Sequence, residues 1–264
     1  MKVALIITTY NWKEALQAVL DSVKRQSELP DEVIIADDGS REDTAELIQS
    51  YQAQFPCPLI HSWQPDDGFQ LAMSRNRAMA QSQADYIIMI DGDIVMSPDF
   101  IRSHKRAAKA GYFVQGGRVL ANDAISQQIM HQHVVPNLFS PGIKNRHNCI
   151  SSRWLSKLCS YERNNDASTR GCNMAFWRAD LIEVNGFNED FVGWGREDSE
   201  FVHRMLNCGK KRLYLKFAGV GYHLYHDESS RASLAKNDEI LENTVRQKLT
   251  RCENGIDKFL DEKS

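Results

Sequence analysis

The chain has 264 residues, 42% of them apolar and 25% charged, enough to bury a substantial core in one large domain or two fused halves. Its net charge of -3 provides no general basic field, which argues against a dedicated nucleic-acid binder. Cys57, Cys149, Cys159, Cys172, Cys208 and Cys252 are scattered and form no C-x-x-C pair, which argues against structural zinc and disulfides and for reduced thiols in a cytosolic setting.

The N-terminus carries Lys2 and then only the short apolar run Val3-Ala4-Leu5-Ile6-Ile7, too little for a secretory core segment. No stretch approaches the ~20 apolar residues of a spanning helix, so membrane contact is expected to be at most peripheral. Val3 to Thr8 reads as a strand. Lys13 to Gln26 reads as a helix with Ala15, Leu16, Val19, Leu20 and Val23 on one face and Asn11 as candidate cap. Glu32 to Ala36 is a second strand, followed by the turn Asp37-Asp38-Gly39-Ser40, with Ser40 placed to start the next helix, Glu42 to Gln54. Pro58 to Ser62 reads as a strand, Leu71 to Gln81 as a helix and Tyr86 to Ile90 as a strand ending in Asp91-Gly92-Asp93. This alternation implies an α/β protein with a mainly parallel sheet flanked by helices.

From about Asn122 to Asn165 the periodicity dissolves, apart from an amphipathic piece at Trp154 to Leu158. A long irregular segment in a compact domain is usually functional, and it reads as a substrate-facing flap. Pattern returns with Asn173 to Phe176, a helix at Arg178 to Val184, a helix at Glu197 to Asn207 and a strand at Leu213 to Phe217. A C-terminal helix runs from Leu234 to Arg251, with Gly255 as its expected stop.

Polar clusters recur where strands emerge, the edge at which open α/β sheets bind ligands. Thr8-Thr9-Tyr10-Asn11 can line a base or ribose pocket, and an Asp38 carboxylate can accept hydrogen bonds from a base or sugar. Gly68 opens a helix whose N-terminus favours anions, and Arg75 can reach a carboxylate or a phosphate. Asp91 and Asp93, one residue apart, repel each other, and a divalent cation that also takes phosphate oxygens relieves this. In the second half, Trp194 between Gly193 and Gly195 offers a flat face for a sugar ring, and Glu197-Asp198 opens a helix. Capping is the competing reading for those acids. In His223-Leu224-Tyr225-His226 the imidazoles would point apart on a strand and lie together on a helical turn, so His226 is preferred as a single ligand.

Together these motifs resemble the GT-A fold glycosyltransferases of family 2 over about residues 1 to 230. The run from Gly171 through Trp194-Gly195-Arg196-Glu197-Asp198 to His226 resembles the catalytic region of β-1,4-galactosyltransferases and chondroitin-type polymerases. The resemblance implies a single catalytic domain, with residues 1–120 binding a nucleotide sugar, 121–230 binding acceptor and carrying catalysis, and 231–264 forming a helical tail. It implies Mn²⁺ or Mg²⁺ held by Asp93 and His226, with His223 at the place of a further ligand and Asp91 near ribose or a metal-bound water. Thr8, Tyr10, Asn11, Asp38, Gly68, Arg75, Gly92 and Trp194 would surround a UDP-sugar, Glu197 would bind hydroxyls and Asp198 would be the base. The implied activity is inverting transfer of a hexose or N-acetylhexosamine to an oligosaccharide or lipid-linked glycan, in bacterial polysaccharide or lipopolysaccharide synthesis. The implied location is cytoplasmic, at the inner face of the inner membrane. Competing readings are a sugar-nucleotide pyrophosphorylase, disfavoured because Thr8-Thr9-Tyr10-Asn11 replaces a glycine-rich basic loop, and a non-enzymatic carbohydrate-binding module.

Overall fold

The run VALIITT forms β1 (Val3–Thr9), every residue of it buried, as expected of a central strand covered on both faces. The computed structural model describes residues 1–227 and 233–261; the expected boundary between 230 and 231 and the last three tail residues lie outside the described residues. After β1 come α1 (Lys13–Lys24), β2 (Glu32–Asp37), α2 (Glu42–Gln52), β3 (Leu59–Trp63), α3 (Leu71–Gln81) and β4 (Tyr86–Asp91). Next are β5 (Ile94–Met96), α4 (Phe100–Ala107), β6 (Tyr112–Gly116), β7 (Arg118–Ala121), α5 (Asp123–Gln132), β8 (Ile143–Lys144), a 3-10 turn at Arg146–Cys149, α6 (Arg153–Cys159) and β9 (Tyr161–Glu162). The chain continues through β10 (Asn173–Trp177), α7 (Arg178–Glu183), α8 (Glu197–Asn207), β11 (Lys211–Leu215), β12 (Gly221–His223), α9 (Leu234–Gln247) and α10 (Asp257–Asp261).

The large sheet has the order β3-β2-β1-β4-β10-β6-β11-β9, and a small one the order β5-β12-β7-β8. The strands from β3 to β4 pair in parallel, whereas β10 runs antiparallel to both β4 and β6. β10 thus stitches the second half of the chain into the sheet built by the first. Alternation along β1 splits the core: Val3, Leu5 and Ile7 pack with α1, α2, α4 and α5, while Ala4 and Ile6 pack with α3, α7, α8 and α10. The result is a sheet with helices on both faces.

Four local expectations are corrected. Asn11 is not the cap of α1. It adopts φ 49 and Trp12 takes the cap position, while the Asn11 Oδ1 accepts from the Arg41 amide at 2.9 Å. Ser40 does not start α2, whose cap position is Arg41; the Ser40 hydroxyl instead accepts from the Asn11 amide. The segment from 122 to 165 is not irregular throughout: it contains α5, capped by Asn122, whose Oδ1 accepts from Ile125 N, with Ile125 and Ile129 buried one turn apart. Gly255 is not the stop of the tail helix. α9 ends at Lys248 in the left-handed region, and Gly255 marks a close approach, since a Cβ there would lie 2.0 Å from the Asn185 carbonyl oxygen. All six cysteines are free thiols.

A buried ion pair locks α8 to its surroundings. Arg204 donates to Glu200 at 2.7 and 2.8 Å and to the carbonyls of Val184 and Gly186, and Thr244 of α9 donates to the same carboxylate. Removing one partner strands the other charge, so Glu200→Ala is expected to cost about 3 kcal/mol or more in urea unfolding. A loss under about 1 kcal/mol would show that the network does not hold α8 in place.

Candidate active site

The direction of strand addition reverses around β1, because β2 lies on one side of it and β4 on the other. The register pairs Thr8 with Asp91 across these strands, and the Thr8 hydroxyl donates to Asp91 Oδ1 at 3.0 Å. Thr8-Thr9-Tyr10-Asn11 and Asp91-Gly92-Asp93 therefore meet at a switch point, the usual ligand crevice of open α/β sheets. Gly92 is required there, as a Cβ would sit 2.4 Å from the Thr8 carbonyl oxygen. Tyr10 stands half exposed, its hydroxyl donating to Asp66.

Asp38 is buried beside this crevice. Its Oδ1 accepts from Gln64 Nε2 at 2.7 Å and its Oδ2 from the Gln70 amide at the start of α3 at 2.9 Å. Burial pushes its carboxyl up to about 6, partly offset by these two hydrogen bonds. Each oxygen of Asp38 already holds a protein donor, so its first role is to fix the start of α3. Gly68 sits in the preceding turn with φ +74 and open space around its Cα.

Arg75 is 1% exposed and lies behind the crevice rather than lining it. Its Nη2 donates to Asp91 Oδ1 at 3.0 Å and its Nη1 to Glu197 Oε1 at 3.3 Å. Of the two partners foreseen for it, carboxylate and phosphate, the structure shows the carboxylates. Glu197 and Asp198 begin α8 next to it. Burial, then the neighbouring Asp198, push the Glu197 carboxyl up to about 7 against the pull of Arg75. Asp198 Oδ2 accepts from the Gly171 amide at 3.0 Å and its Oδ1 from the Ser199 amide at 2.7 Å. Capping and site geometry coincide here, because the amide of Gly171 precedes β10, whose Asn173 pairs with Ile90 beside the acidic triplet.

The pairing of β5 with β12 sets His223 opposite Ile94, and the Leu224 amide donates to the Asp93 carbonyl at 3.0 Å. The chain leaves the strand at His223, so the two imidazoles fall on one side with ring centroids 5.1 Å apart. Asp93 Oδ2 lies 3.4 Å from His223 Nε2 and 3.2 Å from His226 Nε2. Ligand atoms of all three residues lie within 4.8 Å of one another, and Asp93 Oδ1 is buried without a hydrogen-bond partner. A carboxylate and two imidazoles with an unsatisfied buried oxygen are a donor set that a divalent cation completes. Burial alone would raise the Asp93 carboxyl, but the His226 hydrogen bond and both imidazoles hold it below the usual range. That same bond lifts His226 to about 9, while burial pushes His223 down.

The loop that carries Trp194 is held by contacts that no motif in the sequence signals. The Gly193 amide donates to the Phe69 carbonyl, Asn237 of α9 donates to the Gly195 carbonyl at 3.0 Å and Arg196 pairs with Asp238. Asn237 and Asp238 lie in a stretch whose apolar spacing marks only a helix, and nothing in that spacing points to the loop they hold. Arg118, whose charge bears on Asp93 and His223, opens a short strand and carries no motif.

A profile of Glycosyl transferase family 2 matches residues 4–184. The chain belongs to that family. A second profile, the N-terminal domain of galactosyltransferase, matches residues 156–227, the stretch that carries Asp198, His223 and His226. This family 2 glycosyltransferase is related to polysaccharide synthases. It is 26% identical to a hyaluronan synthase of Pasteurella multocida over 78% of this chain and 23% of that protein, and 25% identical to a chondroitin synthase of Escherichia coli over 78% and 32%. It is also 27% identical to a validoxylamine A glucosyltransferase of Streptomyces hygroscopicus subsp. limoneus over 76% and 47%. The chain spans less than half the length of each of these three relatives. Among solved structures, S. aureus TarS 1-349 in complex with UDP superposes with TM-score 0.63 at 15% identity, over 99% of this chain and 70% of that one. The mannosyltransferase PcManGT from Pyrobaculum calidifontis, in complex with GDP-Man and Mn²⁺, gives TM-score 0.58 at 16% identity over 86% and 58%. These neighbours share the GT-A fold expected from the motifs.

The elevated Glu197 carboxyl makes stability depend on pH. Its folded value, about 7, exceeds the ordinary 4.5, so the stabilisation is complete below about pH 4.5 and is lost as pH rises through about 7. Glu197→Gln stays neutral, so it should match the wild type near pH 4 and exceed it by on the order of 3 kcal/mol above about pH 7.5, read from urea midpoints. A difference that does not change with pH would show that Glu197 titrates normally.

Proposed function

We propose that the chain transfers a hexose or N-acetylhexosamine from a UDP-sugar to a hydroxyl of a glycan acceptor, with inversion and with a divalent cation. The observation that carries this reading is the convergence of Asp93, His223 and His226 at the switch-point edge, with Glu197 joined to the same edge through Arg75 and Asp198 next to it, held by the Gly171 amide that precedes β10. Binding of UDP by TarS and of GDP-Man with Mn²⁺ by PcManGT supports a nucleotide-sugar donor and a metal. Asp93, His226 and His223 would hold the ion, and two imidazoles in the set favour Mn²⁺ over Mg²⁺, which prefers oxygen ligands. When bound, the ion neutralises charge that builds on the leaving diphosphate.

The chain's own groups supply the rest. Asp198, oriented by the Gly171 and Ser199 amides, takes the proton of the acceptor hydroxyl as its oxygen attacks the anomeric carbon, and the bond to the diphosphate breaks on the opposite face. Glu197, whose carboxyl is pushed up to about 7, can accept a hydrogen bond from a sugar hydroxyl when ionised and donate one when protonated. Trp194 offers its ring to the sugar, and Thr8, Tyr10, Asn11, Asp38, Gly68, Asp91 and Gly92 border the nucleotide. The polysaccharide synthases among the relatives support a growing polysaccharide as acceptor; in this reading it is an envelope glycan, such as capsule or lipopolysaccharide core, extended at the inner face of the bacterial inner membrane. No described helix is long and apolar enough to cross a membrane.

A panel of nucleotide sugars assayed with Mn²⁺ for UDP release tests the reading, and release from none of them would support a binding module instead. Asp198→Asn should keep UDP affinity and lose transfer by about 10²-fold or more, so normal turnover would refute the base. In calorimetry, Asp93→Ala should lose the Mn²⁺-dependent part of UDP binding. An unchanged affinity in that variant would remove Asp93 from the metal site.

A further inference from the structure

Between Asp123 and Glu162 the chain contains no acidic residue, yet it carries Lys144, Arg146, Arg153 and Lys157, in a protein whose net charge is -3. All four cations are exposed. The same segment holds the most exposed large apolar side chains of the described residues: Phe139 at 88%, Leu158 at 79% and Trp154 at 76%, joined by Val135 and Leu155. Scattered apolar residues on a surface need no explanation, but aromatic and aliphatic tips concentrated in one acid-free basic stretch do.

Neither tip is loose chain. In α6, Trp154, Leu155 and Leu158 face solvent and the helix buries no residue at all. The helix is nevertheless fixed at both ends, since the Ser152 amide donates to the Phe217 carbonyl and the Ser160 hydroxyl accepts from the Lys216 amide. Phe139 projects from a turn closed by its own hydrogen bonds: Asn137 N to the Ser140 hydroxyl, and Phe139 N to Asn137 Oδ1. Arg146 braces that turn by donating to the carbonyls of Leu138 and Ser140. Both apolar tips are thus held outward by the fold.

We infer that segment 134–161, which exposes α6 and the Phe139 turn, docks on an anionic lipid bilayer. Tryptophan at headgroup depth, leucine and phenylalanine beyond it and lysine and arginine at the phosphates are the composition an interfacial segment requires. Each basic residue held near an anionic surface strengthens binding roughly fivefold. A glycan subsite would place carboxylates or amides around Trp154, whereas its neighbours on α6 are Arg153, Leu155, Lys157 and Leu158. The docked segment is tied to the strand that carries His223, because the Tyr222 hydroxyl donates to the Pro136 carbonyl at 3.0 Å and β12 ends at His223. Its use, to bring the cluster to a lipid-linked acceptor, rests on the glycosyl-transfer reading above; the docking itself does not.

The test is co-sedimentation of the whole protein with vesicles of phosphatidylcholine alone and of phosphatidylcholine mixed equally with phosphatidylglycerol. The wild type should bind the mixed vesicles, and less so as salt is raised. Trp154→Ser with Leu158→Ser should weaken partitioning about tenfold or more, and Arg153→Glu with Lys157→Glu should abolish the preference for phosphatidylglycerol. These positions are exposed, and circular dichroism with thermal melts confirms that the variants remain folded. Equal binding to both vesicles, or variants that bind like the wild type, would overturn the inference. So would a dimer in sedimentation velocity that the same substitutions dissociate without any vesicle binding, or saturable binding of an oligosaccharide that requires Trp154. A thermal shift with UDP and Mn²⁺ reports on the donor site separately, so that failure of docking and failure of the donor reading are distinguishable.

Discussion

The Arg75 guanidinium is the constraint on which the arrangement of the site depends. It is buried, so its charge must be paired in place, and an unpaired cation there would be strongly destabilising. Its partners come from opposite ends of the chain: Asp91 closes β4 in the first half, and Glu197 opens α8 in the second. The ring of Phe187 lies 5.2 Å from the guanidinium, and Thr8 shares the Asp91 oxygen that Arg75 holds. One side chain on α3 therefore ties the strand edge at Asp91 to the helix that opens with Glu197 and Asp198.

Strand register does the remaining work on the other side of Asp93. β5 is only three residues long, but its pairing with β12 fixes His223, and the Leu224 amide bond to the Asp93 carbonyl fixes the turn that returns His226. In the second half, α9 holds the Trp194 loop through Asn237 and Asp238, and the Glu200–Arg204 pair holds α8 against α9. The tail helix is part of the scaffold of the site rather than an appendage.

Much of this was legible because the signals were local. The apolar runs of β1, β2 and β4 and the stripe on α1 follow periodicity, and the polar groups that end β1 and β4 lie at a sheet edge once the strands are placed. The resemblance carried by Asp93, Asp198 and His226 supplied the link between the halves. What escaped was set by long-range pairing. α5 is rich in Gln, so its two buried isoleucines make a weak pattern, and its Asn122 cap is the one clear local sign. Asn11 has a capping residue's chemistry, but its side chain is taken by the Arg41 amide, a contact no spacing rule describes. Gly255 looks like a helix stop only until Asn185 is seen beside it. The role of Arg75 was ambiguous for the same reason, since whether it meets a carboxylate or a phosphate depends on where Glu197 lies in space.

The β5–β12 pairing has a consequence for the order in which the molecule assembles. Strands β1 to β4 are built from neighbouring segments and can form early, whereas the cluster of Asp93, His223 and His226 needs a contact between distant parts of the chain, the kind that forms late because loop closure must precede it. A nascent chain that has emerged only through β5 holds the acidic triplet without its imidazoles. Under the metal-site reading proposed above, ion capture is then a property of the finished fold alone, and incomplete chains would not sequester metal through this cluster.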